Sequence, residues 1–373
     1  MNQKRPVSVL IAPLDWGLGH ATRCIPIINE LIHQGALVTI AANGPQKTLL
    51  QQEFPRLEFL EIPGYEMTYK AGILLKWALL FRIPILLRKI KKENFWLEEI
   101  LKHRNMDLVI SDNRYGLFNN KLYSVFITHQ LCIQSGWTSS LTIGRWVENK
   151  ILKWHYKLIA KFSACWVPDQ EGKDSLAGKL SHPPVLPSVP VSYIGILSRF
   201  KKTEKNIINN SLLVLLSGPE PQRTEFETIL LRQLAGSSMQ TTVVRGLPGT
   251  EVPASLIRDG VKIYSHLSSS ELNELIDESE FIIARSGYST TIDLIKKKRN
   301  AILVPTPGQT EQEYLGTYMM EKEWMYSIAQ KNFNLENALL GFRNMEKQLP
   351  GIRDSELHDA VRELLMKVSA ISY

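Results

Sequence analysis

Short apolar runs alternate along this chain with longer stretches whose apolar residues recur at helical spacing. Residues 7–12 (VSVLIA) predict a strand, a glycine loop follows, and 21–34 read as a helix that Gly35 ends before a second strand at 37–41. Strand-like runs return at 107–111 (DLVIS), 123–128 (YSVFIT) and 165–167. A second cycle opens at 211–216 (SLLVLL), with further strands at 241–245, 262–264, 281–284 and 301–304. Helical periodicity lies between them, over 223–234, 269–276, 290–297 and 311–320. Strands apolar on both faces and separated by helices belong to parallel sheets covered on both sides. Two such cycles predict an α/β protein of two doubly wound, Rossmann-like domains, joined near the proline-rich stretch 182–190 or the polar run 201–210.

Length agrees, since 373 residues exceed one ordinary core. The expected division is 1–200 and 201–373, with the last helix expected to pack back on the N-terminal domain. Three widely spaced cysteines, Cys24, Cys132 and Cys165, exclude a disulfide framework and suit a reducing compartment. The basic N-terminus carries too short an apolar run for a secretory signal, and no uncharged apolar stretch is long enough to span a bilayer. Charge is uneven. Residues 1–200 hold 24 Lys and Arg against 15 Asp and Glu, the remainder 20 against 22. A basic first half points to an anionic partner.

The first chemical signal is the loop Asp15-Trp16-Gly17-Leu18-Gly19-His20 between strand and helix. Its glycines let backbone approach a ligand, and a helix N-terminus favours anions. Thr22 occupies the third position of a GxGxxG pattern, so a nicotinamide site is a poor match. His20, at the carboxyl end of the first strand, is a candidate general base. Asp112, in Ser111-Asp112-Asn113-Arg114, is a second candidate at the end of another strand. The second signal is an ordered set. A strand ends in Arg285-Ser286-Gly287, Thr290 and Asp293 follow in the next helix, and Gln309, Gln312 and Glu313 follow the loop after the next strand. Hydroxyls and N–H groups at a helix start suit phosphate, a carboxylate one turn in suits ribose hydroxyls, and amide and acid groups suit a sugar.

These residues resemble glycosyltransferase family 28, which includes the lipid II–forming N-acetylglucosaminyltransferase and the plant galactolipid synthases. The resemblance spans the chain and is firmest over 285–314. It implies the GT-B architecture, two Rossmann-like domains facing a cleft, and an inverting transfer of a hexosyl group from a nucleotide sugar, UDP-linked, without a required metal or other cofactor. It implies Gly17, Gly19, His129 and Gln130 on the acceptor side, although Leu131 and Cys132 depart from the family's stretch. It implies Arg199, Ser217, Gly218, His266, Leu267, Arg285, Ser286, Gly287, Thr290, Asp293, Gln309, Gln312 and Glu313 on the donor side. Pro219 and Glu220 replace the expected Gly/Ser-rich continuation after Gly218, and Glu313 stands where the bacterial enzyme has a glutamine, which leaves the sugar open.

The chain has no Asp-x-Asp and no paired histidine spacing for a metal. Two stretches bear on partners. Residues 73–92 carry six basic residues and no acid in an apolar background, and 144–162 interleave tryptophans with lysines. Both suit helices lying in an anionic membrane interface. The expectation is therefore a cytoplasmic enzyme of the cell envelope, peripheral to the inner face of the membrane, with a nucleotide-sugar donor and a lipid-linked or membrane acceptor, and no nucleic acid. A nucleotide-sugar hydrolase or 2-epimerase of the same fold, or a non-catalytic donor-binding subunit, stays open as an alternative.

Overall fold

The computed structural model describes residues 5–65, 75–133, 142–172, 174–201, 205–257, 259–353 and 355–371, without the side chains of 75–83, 142, 143 and 145. Residues 73–74 of the first basic stretch and 202–204 of the polar run lie outside the described residues. The chain forms two compact units: Met1–Trp16, His20–Leu197 and Ile352–Tyr373 make unit 1, while Gly17–Gly19 and Ser198–Gly351 make unit 2.

Unit 1 runs β1 (Ser8–Pro13), α1 (Gly19–His33), β2 (Leu37–Ala41), α2 (Gly44–Glu53), β3 (Glu58–Leu60), α3 (Leu75–His103), β4 (Leu108–Asp112), β5 (Tyr123–Ile127), α4 (Thr142–Ile159), β6 (Ala164–Val167) and β7 (Val191–Tyr193). The strands form one parallel sheet in the order β3-β2-β1-β4-β5-β6-β7. Leu10, Ala12 and Val109 pack with Leu97 of α3 on one face, and Phe126, Cys165 and Val167 pack with Ile159 of α4. The apolar runs were continuous because the central strands are buried on both faces, β4 at every residue.

Unit 2 runs β8 (Ile208–Leu215), α5 (Gln222–Leu234), β9 (Gln240–Val244), β10 (Val261–Tyr264), α6 (Ser269–Glu278), β11 (Ser279–Ala284), α7 (Tyr288–Lys296), β12 (Ile302–Leu303), α8 (Thr310–Glu321), β13 (Tyr326–Ser327) and α9 (Leu335–Asn344). Its parallel sheet has the order β10-β9-β8-β11-β12-β13. The last helix, α10 (Glu356–Ile371), belongs to unit 1, where Gln34 Nε2 donates to the His358 carbonyl at 3.0 Å and His358 Nδ1 lies 2.8 Å from Glu30 Oε1.

The units differ from a division at residue 200. Ser198 and Arg199 belong to unit 2 because Asp293 bonds them, and 352–373 belong to unit 1 through α10. Gly17–Gly19 also count with unit 2, where the Gly19 carbonyl accepts the Ser289 hydroxyl at 2.9 Å.

In each sheet the strand order reverses once, between β1 and β4 in unit 1 and between β8 and β11 in unit 2. In such sheets ligands bind outside the carboxyl ends of the strands at the reversal. The pairing Pro13↔Asp112 and the pairing Leu215↔Ala284 mark those two places.

Candidate functional site

The reversal in unit 1 brings together four side chains from three places in the sequence, α1, the end of β4 and the stretch after β5. His20 sits in the first turn of α1, and Asp112 ends β4, the strand beside β1. His20 Nδ1 lies 3.0 Å from Asp112 Oδ2. Arg23, one turn further along α1, grips the same carboxylate with both arms of its fork: Nε donates to Oδ2 at 2.8 Å and Nη2 to Oδ1. Arg23 Nη1 lies 2.6 Å from Nδ1 of His129, which follows β5. Asp112 and Arg23 are buried, whereas the His20 side chain keeps 16% of its surface exposed. The two base candidates of the sequence are thus partners, not rivals.

Electrostatics separates their roles. Burial would raise the Asp112 carboxyl, but Arg23 and His20 outweigh it and hold it at about 2. Burial, then the Arg23 cation, lowers the imidazole of His20 below its ordinary value, against the pull of Asp112. The charged form of the ring is thereby disfavoured, beside a carboxylate held ionised.

The loop after β4 is fixed from beneath. Arg114, fully buried, donates Nε to the Pro13 carbonyl at 2.7 Å and Nη1 to Glu93 Oε1 of α3 at 2.7 Å. Asn113 adopts φ +56° to make the turn, and Ser111 Oγ donates to the Arg114 carbonyl at 2.6 Å. The stretch after β5 is tied to α4: buried His155 donates Nε2 to the Gln130 carbonyl at 3.1 Å and accepts the Tyr115 hydroxyl at Nδ1, 2.9 Å. Burial holds His155 at about 4.

The reversal in unit 2 is built differently. Ser217 and Gly218 follow β8, with Gly218 at φ +103°, and Gly287 caps the start of α7, where half-buried Thr290 sits. Asp293 of α7 is buried, accepts the Ser198 hydroxyl at 2.6 Å and lies 3.8 Å from Arg199 Nε. Burial pushes its carboxyl up to about 6 despite Arg199 and Ser198. Arg199 also donates Nη1 to Ser269 Oγ at 3.4 Å, which ties Asp293 to the start of α6, next to half-buried His266 and buried Leu267.

Five residues expected on the donor side hydrogen-bond within the loops around them. Arg285 is fully buried and donates to the carbonyls of Val304 (3.1 Å), Pro305 (3.4 Å) and Gln222 (2.8 Å) and to Gln330 Oε1 (2.8 Å), over the Phe226 ring. Ser286 Oγ donates to the Gln312 carbonyl at 2.7 Å. Gln312 accepts the Thr306 N–H at 3.0 Å and donates to Gln309 Oε1 at 2.5 Å, while Glu313 accepts the Gly308 N–H at 3.0 Å. They shape the 304–313 loop. Thr306, whose buried Oγ1 has no hydrogen-bond partner, lies 3.4 Å from where a Cβ on Gly218 would stand, so these two loops meet.

Sequence reasoning passed over Arg23, Arg114 and Thr306. Arg23 alone left a trace, a basic residue one turn after His20 on the apolar face of a helix.

No protein-family model matches the chain, and no characterised protein matches it by sequence. Solved structures match its fold. The glycosyltransferase of kitacinnamycin aligns over 99% of this chain and 96% of its own, with TM-score 0.61 and 13% identity. CalG4, the calicheamicin glycosyltransferase, covers 98% and 95% with TM-score 0.60 and 14% identity. MurG of Acinetobacter baumannii covers 98% and 95% with TM-score 0.52 and 13% identity. The chain therefore has the GT-B glycosyltransferase fold, on two parallel-sheet α/β units.

Proposed function

We propose that the chain is a glycosyltransferase that moves a hexosyl group from a nucleotide sugar, UDP-linked, to a hydroxyl of a lipid-linked or membrane-associated acceptor, with inversion and without a required metal. One observation carries the reading: a histidine with Nδ1 3.0 Å from a buried aspartate, at the strand-order reversal of a fold shared with glycosyltransferases. In the tautomer that turns Nδ1–H to Asp112, rather than accepting from Arg23 Nη2 at 2.7 Å, Nε2 of His20 is bare and takes the acceptor hydroxyl proton. The acceptor oxygen then bonds the anomeric carbon from the face opposite the nucleotide. The bond to the diphosphate breaks, its electron pair leaves on a phosphate oxygen, and the configuration inverts. Proton transfer of this kind supplies about 10²–10⁴ in rate.

In unit 2, the Gly287 cap and Thr290 at the start of α7, with the Ser217-Gly218 turn, suit a diphosphate, and Asp293 suits ribose hydroxyls. Arg285, Ser286, Gln309, Gln312 and Glu313 hold these loops in shape. A membrane acceptor is supported by two faces of unit 1. On α3, Ile85, Leu87 and Phe95 are exposed beside Arg88, Lys91 and Lys92. On α4, Trp146 is exposed with Lys150 Nζ 5.3 Å from its ring centre. No helix among the described residues is long and apolar enough to cross a membrane, so this would be interfacial docking.

A thermal-shift screen against UDP-, GDP- and dTDP-sugars tests the donor. A sugar nucleotide at 100 times its dissociation constant adds about 2.7 kcal/mol, a resolvable shift in melting temperature. Donor consumed equally with and without acceptor would mark a hydrolase, and no shift with any nucleotide would sink the proposal.

A further inference from the structure

Arg23 is an unusual residue to find beside a base. It is a buried cation in van der Waals reach of two imidazoles, and it touches both while its fork is already committed to Asp112. A guanidinium has five donors and no acceptor and is not deprotonated in proteins. Where its Nη1 meets His129 Nδ1 at 2.6 Å, that nitrogen must accept, so the His129 ring carries its proton on Nε2. Where its Nη2 lies 2.7 Å from His20 Nδ1, it competes with the Asp112 carboxylate, 3.0 Å away, for the same ring nitrogen.

We infer that Arg23 is the positioning residue of this site, which holds His20 uncharged beside the Asp112 carboxylate and fixes the tautomer of His129. The inference rests on the reading of His20 as base and adds to it a third member. An aspartate alone beside a histidine favours the imidazolium, and a histidine already protonated cannot take a proton from an acceptor. Forking the carboxylate with a guanidinium spends its charge on a partner that never titrates, so Asp112 orients His20 without charging it. Among the described residues, the groups that act on His20 are Arg23 from its own helix, Asp112 from β4 and His129 after β5, and Cys24 of the same helix contacts Asp112. The Arg23 cation opposes the imidazolium, Asp112 favours it, and Cys24 is a thiol pushed well above its ordinary range by burial, hence neutral. The same arrangement leaves the His129 Nε2–H as a donor of fixed position.

The test needs no acceptor. Imidazole nitrogens are labelled by isotopic histidine in the full chain, and two-bond nitrogen–proton spectra are recorded from pH 5 to 9 for the wild type, Arg23→Gln and Arg23→Lys. His20→Ala and His129→Gln assign the two rings. The wild type should show His129 as the Nε2–H tautomer and His20 titrating below the free-imidazole value of about 6.5. Arg23→Gln should raise the His20 midpoint by about 1 pH unit or more, with Arg23→Lys in between. Where an acceptor supports turnover, the acid limb of the pH profile should move up in the same order. A wild-type His129 with its proton on Nδ1 overturns the inference, even if the glutamine variant does not fold. So does a His20 midpoint that stays put in a folded Arg23 variant. A His20→Ala enzyme with undiminished turnover would remove the base reading and leave the Arg23 result intact, so the two failures are distinct.

Discussion

Asp112 and Asp293 are both buried aspartates beside the strand-order reversal of their own sheet, and each has an arginine for a neighbour. Their carboxyls move in opposite directions, Asp112 to about 2 and Asp293 to about 6. The difference lies in how the cation is presented. Arg23 forks Asp112 with two hydrogen bonds, whereas Arg199 Nε stands 3.8 Å from Asp293, which accepts the Ser198 hydroxyl at 2.6 Å and the Arg199 backbone N–H. Burial costs a carboxylate several kcal/mol, and only close, well-aligned partners offset it. Asp112 is therefore a fixed negative strut for a histidine. Asp293 is a carboxylate that burial makes reluctant to ionise, to which ribose hydroxyls would add donors.

That contrast is broken first by its largest effect. His20→Ala should cut turnover by about 10²–10⁴ with donor affinity nearly unchanged, measured by single-turnover transfer and calorimetry. Stability should then separate the two aspartates. Asp112→Asn leaves Arg23 a buried cation without its counter-charge and should cost about 3–5 kcal/mol. Asp293→Asn removes a carboxylate that the fold ionises reluctantly, and at pH 8 should be up to about 3 kcal/mol more stable than wild type. Denaturant melts of the two variants decide this, and a common sign would remove the distinction. The pH dependence follows the same signs. Asp112, with its folded value depressed, contributes stability above about pH 4 that is lost as pH falls towards 2. Asp293, with its folded value raised, subtracts stability as pH rises from about 4 to 6.

A smaller effect concerns the basic surface of unit 1. Replacing Lys89, Lys91 and Lys92 with glutamine should weaken binding to anionic vesicles by up to about 1 kcal/mol for each charge. Co-sedimentation at low and moderate salt measures it, and a wild type indifferent to anionic vesicles would leave these lysines as a merely solvated face.

How far this was legible in the sequence depended on what each element needed from the rest of the chain. Strands buried on both faces announced themselves, and 37–41 was read to its ends. The edge strands β3, β7 and β13, of two or three residues, are too short for any period to register. α2 escaped because GPQKTLLQQE has no apolar stripe, α9 went unread although it has one, and α10 was expected as a last helix but without bounds. At the site, residue type pointed to His20 and Asp112 but not to their contact, because a separation of 92 residues is closed by β1 pairing with β4. The family resemblance puts Arg285 and Gln312 on the donor side, one just after β11 and the other in the first turn of α8. Their burial, and the carbonyl and amide groups that occupy them, exist only in the fold.

The central claim is a division of labour, with the donor held by unit 2 and the proton taken by unit 1. Calorimetric titration of UDP into wild type, Asp293→Ala and His20→Ala tests it most directly. Loss of a charged acceptor should weaken UDP binding to Asp293→Ala by about 1.5–3 kcal/mol, tenfold or more, while His20→Ala binds as the wild type does. Equal UDP affinity in Asp293→Ala and wild type, or a His20→Ala protein that loses UDP as severely, would contradict it.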